Sequence, residues 1–116
     1  MEANHETEVV LSHQILIEAL GGNEKIATEL LIKFRDSLPA RILKLETALS
    51  AGNLDAAKST SHQLKGAAAT MGAAPLSHIC EQIELAASAG DTELLPALHT
   101  AFSSAAAKLA AELAKL

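Results

Sequence analysis

Hydrophobic residues recur along this chain at intervals of three and four positions, the spacing that places them on one face of an α-helix. Turn signals that contain glycine interrupt the pattern at residues 21–22, 52–53, 72–75 and 90–91. Alternating β-branched runs do not occur, since valine is found only at Val9 and Val10. The pattern therefore predicts five helices, over about residues 8–20, 23–52, 54–72, 75–89 and 91–116.

The second predicted helix begins at Asn23, a good N-cap residue, and ends at Gly52. Its inward stripe consists of Ile26, Leu30, Phe34, Leu38, Ile42, Leu45 and Leu49. Pro39 lies within this stretch and cannot donate a backbone hydrogen bond. We therefore expect a kink or a one-turn break between Arg35 and Pro39, and a break would split the helix in two.

The other three long helices have equally regular inward faces. In the third helix the inward residues are Leu54, Ala57, Ser61, Leu64, Ala68 and Met71. The fourth helix starts with Pro75 in its first turn, and its inward residues are Leu76, Ile79, Ile83 and Ala86. The fifth starts at the N-cap Asp91, and its inward residues are Leu95, Leu98, Phe102, Ala105, Leu109, Leu113 and Leu116.

Short connections make consecutive helices antiparallel neighbours. The sequence therefore predicts an all-α protein: an antiparallel up-and-down four-helix bundle with a short N-terminal helix packed across one end. Residues 8–116 are expected to form this domain, and residues 1–7 a flexible N-terminal tail.

Charge and composition narrow the classes of function. The net charge of −5 indicates that the partner is neither a nucleic acid nor a membrane surface, because both require a basic footprint. The start of the chain is acidic, and no apolar run is long enough to span a membrane. The single cysteine, Cys80, fits a small buried residue in a reducing compartment. We expect a cytoplasmic protein.

The sequence predicts no metal site. Bundles that hold di-iron centres use Glu-x-x-His pairs, and the only such pair here is Glu2 with His5, in the predicted tail. We interpret His13, His78 and His99 as surface or helix-end residues.

The chemistry-bearing pattern lies around His62 in the third helix. If Ser61 faces the core, His62 lies at the surface edge, with Lys58 and Lys65 at i−4 and i+3 on the same stripe. The two lysines favour an anion attached to the imidazole. Gly66 costs roughly 0.5–1 kcal/mol relative to alanine, and we interpret its benefit as open access to the ring.

An imidazole in this position can act as a nucleophile towards an activated phosphoryl group near neutral pH. One ring nitrogen would take the phosphoryl group, and the other needs a hydrogen-bond acceptor that fixes the ring. Glu84 is the candidate acceptor, because it follows the inward Ile83 as His62 follows Ser61. Gln82 is a weaker option.

Residues 62–72, HQLKGAAATMG, resemble the His-x-Leu-Lys-Gly-(five residues)-Gly signature of histidine-containing phosphotransfer (Hpt) domains of multistep phosphorelays. The resemblance covers about residues 23–116 and includes Ile83-Glu84 and Gly90-Asp91. Asn53 departs from the family pattern, which usually has an aspartate after the helix-ending glycine.

The resemblance implies a helical bundle whose exposed histidine accepts a phosphoryl group from the aspartyl phosphate of a receiver domain and passes it to another receiver. His62 matches the phosphorylated position, and Lys65 matches the lysine that offsets phosphoryl charge. Gly66 matches the glycine that leaves access, and Glu84 the residue that orients the imidazole. Lys58 adds a secondary charge.

The resemblance also implies which partners to expect. They are response-regulator receiver domains, which supply the Mg²⁺, and a hybrid sensor histidine kinase; this chain is expected to be a monomer that binds no cofactor. The expected docking patch comprises Val9, Ile15, Ile26, Gln63, Gly66, Ala69 and Thr70.

The chain has neither a Walker-type nor a kinase-type phosphate loop, so we expect a phosphohistidine carrier without kinase activity of its own. Two alternatives stay open. The chain could be the phosphoacceptor domain of a chemotaxis-type kinase, which the neighbouring domains would decide. It could also be a helical adaptor that binds a receiver without being phosphorylated at His62.

Overall fold

The structure is a computed structural model that describes residues 9–116. The predicted tail, residues 1–7 with Glu2 and His5, lies outside the described residues. Five helices and no strand occur in the described part: α1 (His13–Ala19), α2 (Glu24–Ser50), α3 (Leu54–Thr70), α4 (Ala74–Ala89) and α5 (Leu95–Leu113). The all-α prediction is confirmed.

The four long helices form a closed antiparallel bundle. Each packs against the next in the chain, and α5 returns to pack against α2. The most extensive interface joins α3 to α4, the two helices that carry the candidate chemistry. Apolar side chains from all five helices meet in one core, which includes Leu16, Phe34, Leu64, Ile83 and Phe102.

Helix α1 lies at the end of the bundle where α3 turns into α4. The backbone N–H of Ser12 donates to the carbonyl of Gly72 at 2.7 Å, and Leu16 is fully buried. Gly72 has φ +85°, and a Cβ there would overlap the backbone of Ser12. Only glycine therefore fits both the turn and the close approach of the first helix.

Helix α2 continues without a break across Pro39, so the one-turn break, one of the two expected outcomes, does not occur; the kink stays a prediction. Pro39 is exposed, and the helix gains enough from its neighbours to tolerate one missing backbone donor. The buried face also differs from the predicted stripe: Ala27, Leu31 and Ala48 are buried, whereas Ile26 is 42% exposed. Two neighbouring helices widen the buried face of α2 and bring in small residues that a search for large side chains passes over.

The predicted ends of the first and last helices also need correction. Helix α1 spans His13–Ala19, because Ser12 caps it by accepting from the N–H of Ile15. Asp91 is not the N-cap of α5, which begins at Leu95 after a turn. Pro96 lies in the first turn, where a missing N–H costs least, and this favours the later start. Leu116 is 38% exposed rather than inward.

None of the helices in residues 9–116 has the length and apolar character of a membrane span.

Candidate functional site

Helix α3 presents His62 to solvent because of its register in the bundle. The helix is capped by Asn53, whose Oδ1 accepts from the N–H of Ala56 at 3.1 Å. Ser61 and Leu64 are buried, and this places His62 on the outer face with 65% of its side chain exposed. The exposed ring is anchored on a helix that the core holds firmly.

Glu84 holds the ring from the neighbouring helix. Its Oε2 lies 2.8 Å from Nδ1 of His62, across the α3–α4 interface. The Glu84 side chain is only 17% exposed. Gln82, the weaker option, is an exposed residue of α4 with no hydrogen bond to the ring. The contact occupies Nδ1 and leaves Nε2 as the nitrogen that can react.

Lys65 binds the same carboxylate. Its Nζ donates to Oε1 of Glu84 at 2.7 Å, so the two carboxylate oxygens hold one partner each. This hydrogen bond raises the pKa of the Lys65 ammonium, and it also lowers the pKa of the Glu84 carboxyl, to which the bond with His62 adds. Glu84 is therefore ionised at neutral pH and suited to accept a hydrogen bond from the Nδ1–H of the ring.

Ser77 supports this arrangement and is not among the residues predicted from the sequence. Its hydroxyl donates to the backbone carbonyl of Lys65 at 3.1 Å, which ties α4 to α3. Ser77 precedes Glu84 by seven residues, or two helical turns, so both lie on the α3-facing side of α4. The sequence signal for Ser77 is its position: a small polar residue seven positions before Glu84 lies on the same face of α4.

Gly66 leaves space beside the ring. A Cβ added at this position would meet no atom within 4 Å. The packing of this chain therefore does not require glycine here. Without a side chain at this position, no atoms project beside His62 that would hinder the approach of a partner. Ala69, one turn further on, is exposed as well.

Lys58 is exposed and lies on the other side of His62 along α3. It lines a hollow of about 350 Å³ together with Asp55, Ser59, His62, Gln63 and Glu84. No carboxylate among residues 9–116 pairs with its ammonium group. The structure thus brings Lys58, His62, Lys65 and Glu84 together around one exposed ring.

The predicted docking residues fall into two groups. Gln63, Gly66, Ala69 and Thr70 are exposed on α3, and Thr70 donates its hydroxyl to the carbonyl of Gly66 at 3.0 Å.

Three apolar residues of the predicted patch come from the N-terminal part of the chain. Ile15 and Ile26 are 48% and 42% exposed, consistent with a surface role. Val9 is 59% exposed, but it lines a groove between α4 and α5 together with Pro75, Ile79 and Lys108. Val9 therefore lies on the α4–α5 side, where the chain enters α1, and its place in the docking patch stays a prediction.

Other candidate groups have different surroundings. Among residues 9–116, no three His, Cys, Asp or Glu side chains are grouped so as to hold a metal ion. His13 and His78 are exposed, and His99 lies 3.9 Å from the carboxylate of Glu46. Burial raises the pKa of the Cys80 thiol to about 12, so this thiol is unreactive at neutral pH.

Solved structures resemble the fold closely. The chain is 27% identical to histidine-containing phosphotransfer protein B (HptB) of Pseudomonas aeruginosa PAO1, with a TM-score of 0.82 over 94% of this chain and 95% of that one. It is 24% identical to the Hpt domain of an Hpt sensor hybrid histidine kinase from Shewanella, with a TM-score of 0.72 over 92% and 96% of the two chains. The second likeness shows the fold alone. No curated protein sequence gives a significant match.

The family model of the Hpt domain matches residues 29–115. The match contains α3 and α4, and with them the exposed histidine, its carboxylate partner and the two flanking lysines. By fold, by sequence and by the residues around His62, this chain belongs to the Hpt domain family.

Proposed function

We propose that this chain is a phosphocarrier of a phosphorelay, in which His62 accepts a phosphoryl group from a receiver-domain aspartyl phosphate and passes it to a second receiver. The observation that carries the proposal is the geometry of the ring. Nδ1 is bound to the Glu84 carboxylate at 2.8 Å, while 65% of the His62 side chain is exposed. Nε2 is thereby oriented and reachable by a partner.

The transfer balances without an external base. In the tautomer that donates Nδ1–H to Glu84, Nε2 carries the lone pair that attacks phosphorus. The N–P bond forms as the P–O bond to the partner's aspartate breaks, and the electron pair stays on the aspartate oxygen. The phosphorylated ring keeps its Nδ1 proton and becomes cationic, and the Glu84 carboxylate stabilises that charge. The reverse steps deliver the group to the next receiver.

Lys58 and Lys65 can offset the negative charge of the incoming phosphoryl group. A phosphoryl group brings negative oxygens to the outer face of α3, and Lys65 and Lys58 lie on either side of His62 along that helix. Lys65 also holds Oε1 of Glu84 at 2.7 Å, so it can position the carboxylate before transfer and offset phosphoryl charge after it.

We assign the metal to the partner. Mg²⁺ commonly uses carboxylates and phosphate oxygens, and residues 9–116 hold no group of three potential ligands. A receiver that brings Mg²⁺ and the aspartyl phosphate would dock over Gly66 and Ala69, where the surface is low. This chain then contributes the nucleophile, its orientation and part of the charge stabilisation.

A phosphotransfer assay tests the proposal. The chain and its His62→Gln variant are incubated with Mg²⁺ and a panel of ³²P-labelled receiver domains, including any encoded nearby. The matched control is His78→Gln, which removes an exposed histidine of α4 outside the site. We expect acid-labile, base-stable label on the wild type and on His78→Gln, none on His62→Gln, and return of label to unlabelled receivers.

The same assay separates the alternatives. Binding of a receiver without label on the chain would favour a helical adaptor. Labelling by an isolated histidine-kinase domain with ATP, but by no receiver, would favour the phosphoacceptor domain of a chemotaxis-type kinase. Equal label on His62→Gln would show that another residue is the acceptor.

A further inference from the structure

A second charged feature lies beside the site, on the opposite side of α3 from Glu84. A hollow of about 180 Å³ between α2 and α3 is lined by Ala40, Arg41 and Lys44 of α2 and by Thr60, Gln63 and Leu64 of α3. Gln63 also lines the hollow that contains His62. Arg41 and Lys44 therefore lie at the level of the candidate phosphoacceptor, separated from it by the exposed surface of α3.

Helical periodicity extends this flank of α2 towards the N-terminus of the helix. Positions three and four residues apart share a face, so Ser37 and Lys33 continue the row from Arg41 and Lys44. We call Lys33, Arg41 and Lys44 the α2 basic stripe. Glu29 and Asp36 lie four residues before and three residues after Lys33, so that end of the row has acidic neighbours. No acidic residue lies three or four positions from Arg41 or Lys44.

At Arg41 and Lys44, the end of the stripe level with His62, no acidic neighbour along α2 compensates the positive charge. Within the described range 9–116, no carboxylate forms an ion pair with Lys33, Arg41 or Lys44. Nε of Arg41 instead donates to the hydroxyl of Ser37 at 3.1 Å, which holds the guanidinium along the flank. Arg41 and Lys44, two cations without an acidic neighbour on their flank, are conspicuous in a chain of net charge −5.

We propose that the α2 basic stripe is the second half of the docking surface and selects receiver domains that carry an acidic surface beside their phosphorylated aspartate. This inference rests on the proposed function of His62. Opposite charges on two surfaces steer the encounter and fix its register, whereas like charges reject a wrong partner. A receiver placed over Gly66 to reach His62 extends across α3 towards α2, where the stripe meets it.

The test compares two variants with the same change in net charge. Arg41→Glu/Lys44→Glu reverses the stripe at the level of His62, and Lys108→Glu/Lys115→Glu reverses two lysines of the α5 end of the chain. The second-order rate constant of transfer is measured with the receiver that labels the wild type fastest, at ionic strengths from low to high. Phosphoramidate, which transfers its phosphoryl group to a histidine nitrogen and releases ammonia, labels His62 without docking.

We expect the stripe variant to lose about tenfold or more in rate at low ionic strength, to approach the wild type at high salt, and to react normally with phosphoramidate. The α5 variant should keep the wild-type rate within about twofold. Equal losses in both variants, or a salt dependence unchanged from the wild type, would overturn the inference. Slower labelling by phosphoramidate in the stripe variant would also overturn the inference, because it would show that Arg41 and Lys44 assist the transfer step itself rather than the docking of a receiver. If no receiver labels the wild type, the proposed function fails first.

Discussion

The carboxylate of Glu84 lies 2.8 Å from Nδ1 of His62, across the interface of the two helices that pack most extensively in the bundle. This contact gives the two ring nitrogens different roles, since one is bound and the other faces solvent. The ring is exposed, but its orientation is set by a half-buried partner whose second oxygen is held by Lys65. Reactivity and access are thus combined at one surface position.

Replacing Glu84 by glutamine should slow transfer without abolishing it. Glu84→Gln keeps the shape of the side chain but loses the charge that favours the Nδ1–H tautomer and the cationic phosphorylated ring. We expect single-turnover transfer from a phosphorylated receiver to fall by about tenfold or more, as for loss of other orienting partners. Glu81→Gln, an exposed change on the same helix, is the matched control. Equal rates in Glu84→Gln and the wild type would rule out the orienting role.

The Glu84–Lys65 pair should make stability depend on pH at both ends of the scale. Glu84 has its pKa lowered from 4.5, so its contribution is present above pH 4.5 and is lost as pH falls through the lowered value. Lys65 has its pKa raised from 10.5, so its contribution is present below pH 10.5 and is lost as pH rises through the raised value.

Urea unfolding of the wild type and of Glu84→Gln between pH 3 and 11 checks this prediction. The difference in free energy of unfolding should be constant near neutral pH and should shrink below about pH 4.5, where the paired carboxylate becomes protonated. A difference that grows towards acid pH would have the wrong sign for a stabilised carboxylate.

Gly66 separates stability from function. Because a Cβ at this position meets no atom within 4 Å, Gly66→Ala should raise the free energy of unfolding by about 0.5–1 kcal/mol through helix propensity. Gly66→Arg should fold equally well but slow transfer from receivers, since a long side chain covers the approach to His62. Thermal unfolding and transfer rates measured together check both effects. A destabilised Gly66→Ala would show that glycine is needed for folding.

Gly72 should behave in the opposite way. Its φ of +85° and the backbone of Ser12 leave no space for a Cβ, so Gly72→Ala is expected to cost about 2 kcal/mol or more. The loss should include release of α1 from the turn between α3 and α4, visible as faster amide exchange in His13–Ala19. Gly52→Ala, at another turn glycine with open space around it, is the comparison. Equal costs at both positions would leave strain, not the contact, as the cause.

Ser77 is expected to set the register of α4 against α3. Ser77→Ala removes the hydrogen bond to the Lys65 carbonyl and should lower the free energy of unfolding by about 1 kcal/mol. If the bond positions Glu84, Ser77→Ala should also move the chemical shift of His62 Nδ1. The control is Ser104→Ala, at an exposed serine of α5, which should leave that shift unchanged. Identical His62 spectra in Ser77→Ala and the wild type would limit Ser77 to stability.

The helices and the histidine motif could be predicted because they depend on local sequence. Three- and four-residue spacing fixes the face of α3, and Ser61 and Leu64 on the buried side determine that His62 is exposed. The pairing of His62 with Glu84 followed from their equal offsets from buried residues on antiparallel neighbours. These inferences need only the helix period and the direction of the next helix.

The remaining features depend on tertiary packing. Nothing near Pro39 in sequence reveals that neighbouring helices keep α2 continuous, and nothing near Val9 reveals that the chain enters from the α4–α5 side. The contact of Ser77 with a backbone carbonyl of α3, and the closeness of Arg41 and Lys44 to Gln63, also require the two helices to be placed side by side.

The proposed chemistry requires that Nε2 of His62 carries the phosphoryl group while Nδ1 stays bound to Glu84. Long-range ¹⁵N–³¹P correlation spectra of the phosphorylated, ¹⁵N-histidine-labelled chain test it directly, because they identify the nitrogen bonded to phosphorus. We expect a single phosphorylated ring, that of His62, with the N–P bond at Nε2 and a protonated Nδ1. A bond at Nδ1, or on the ring of another histidine, would contradict it.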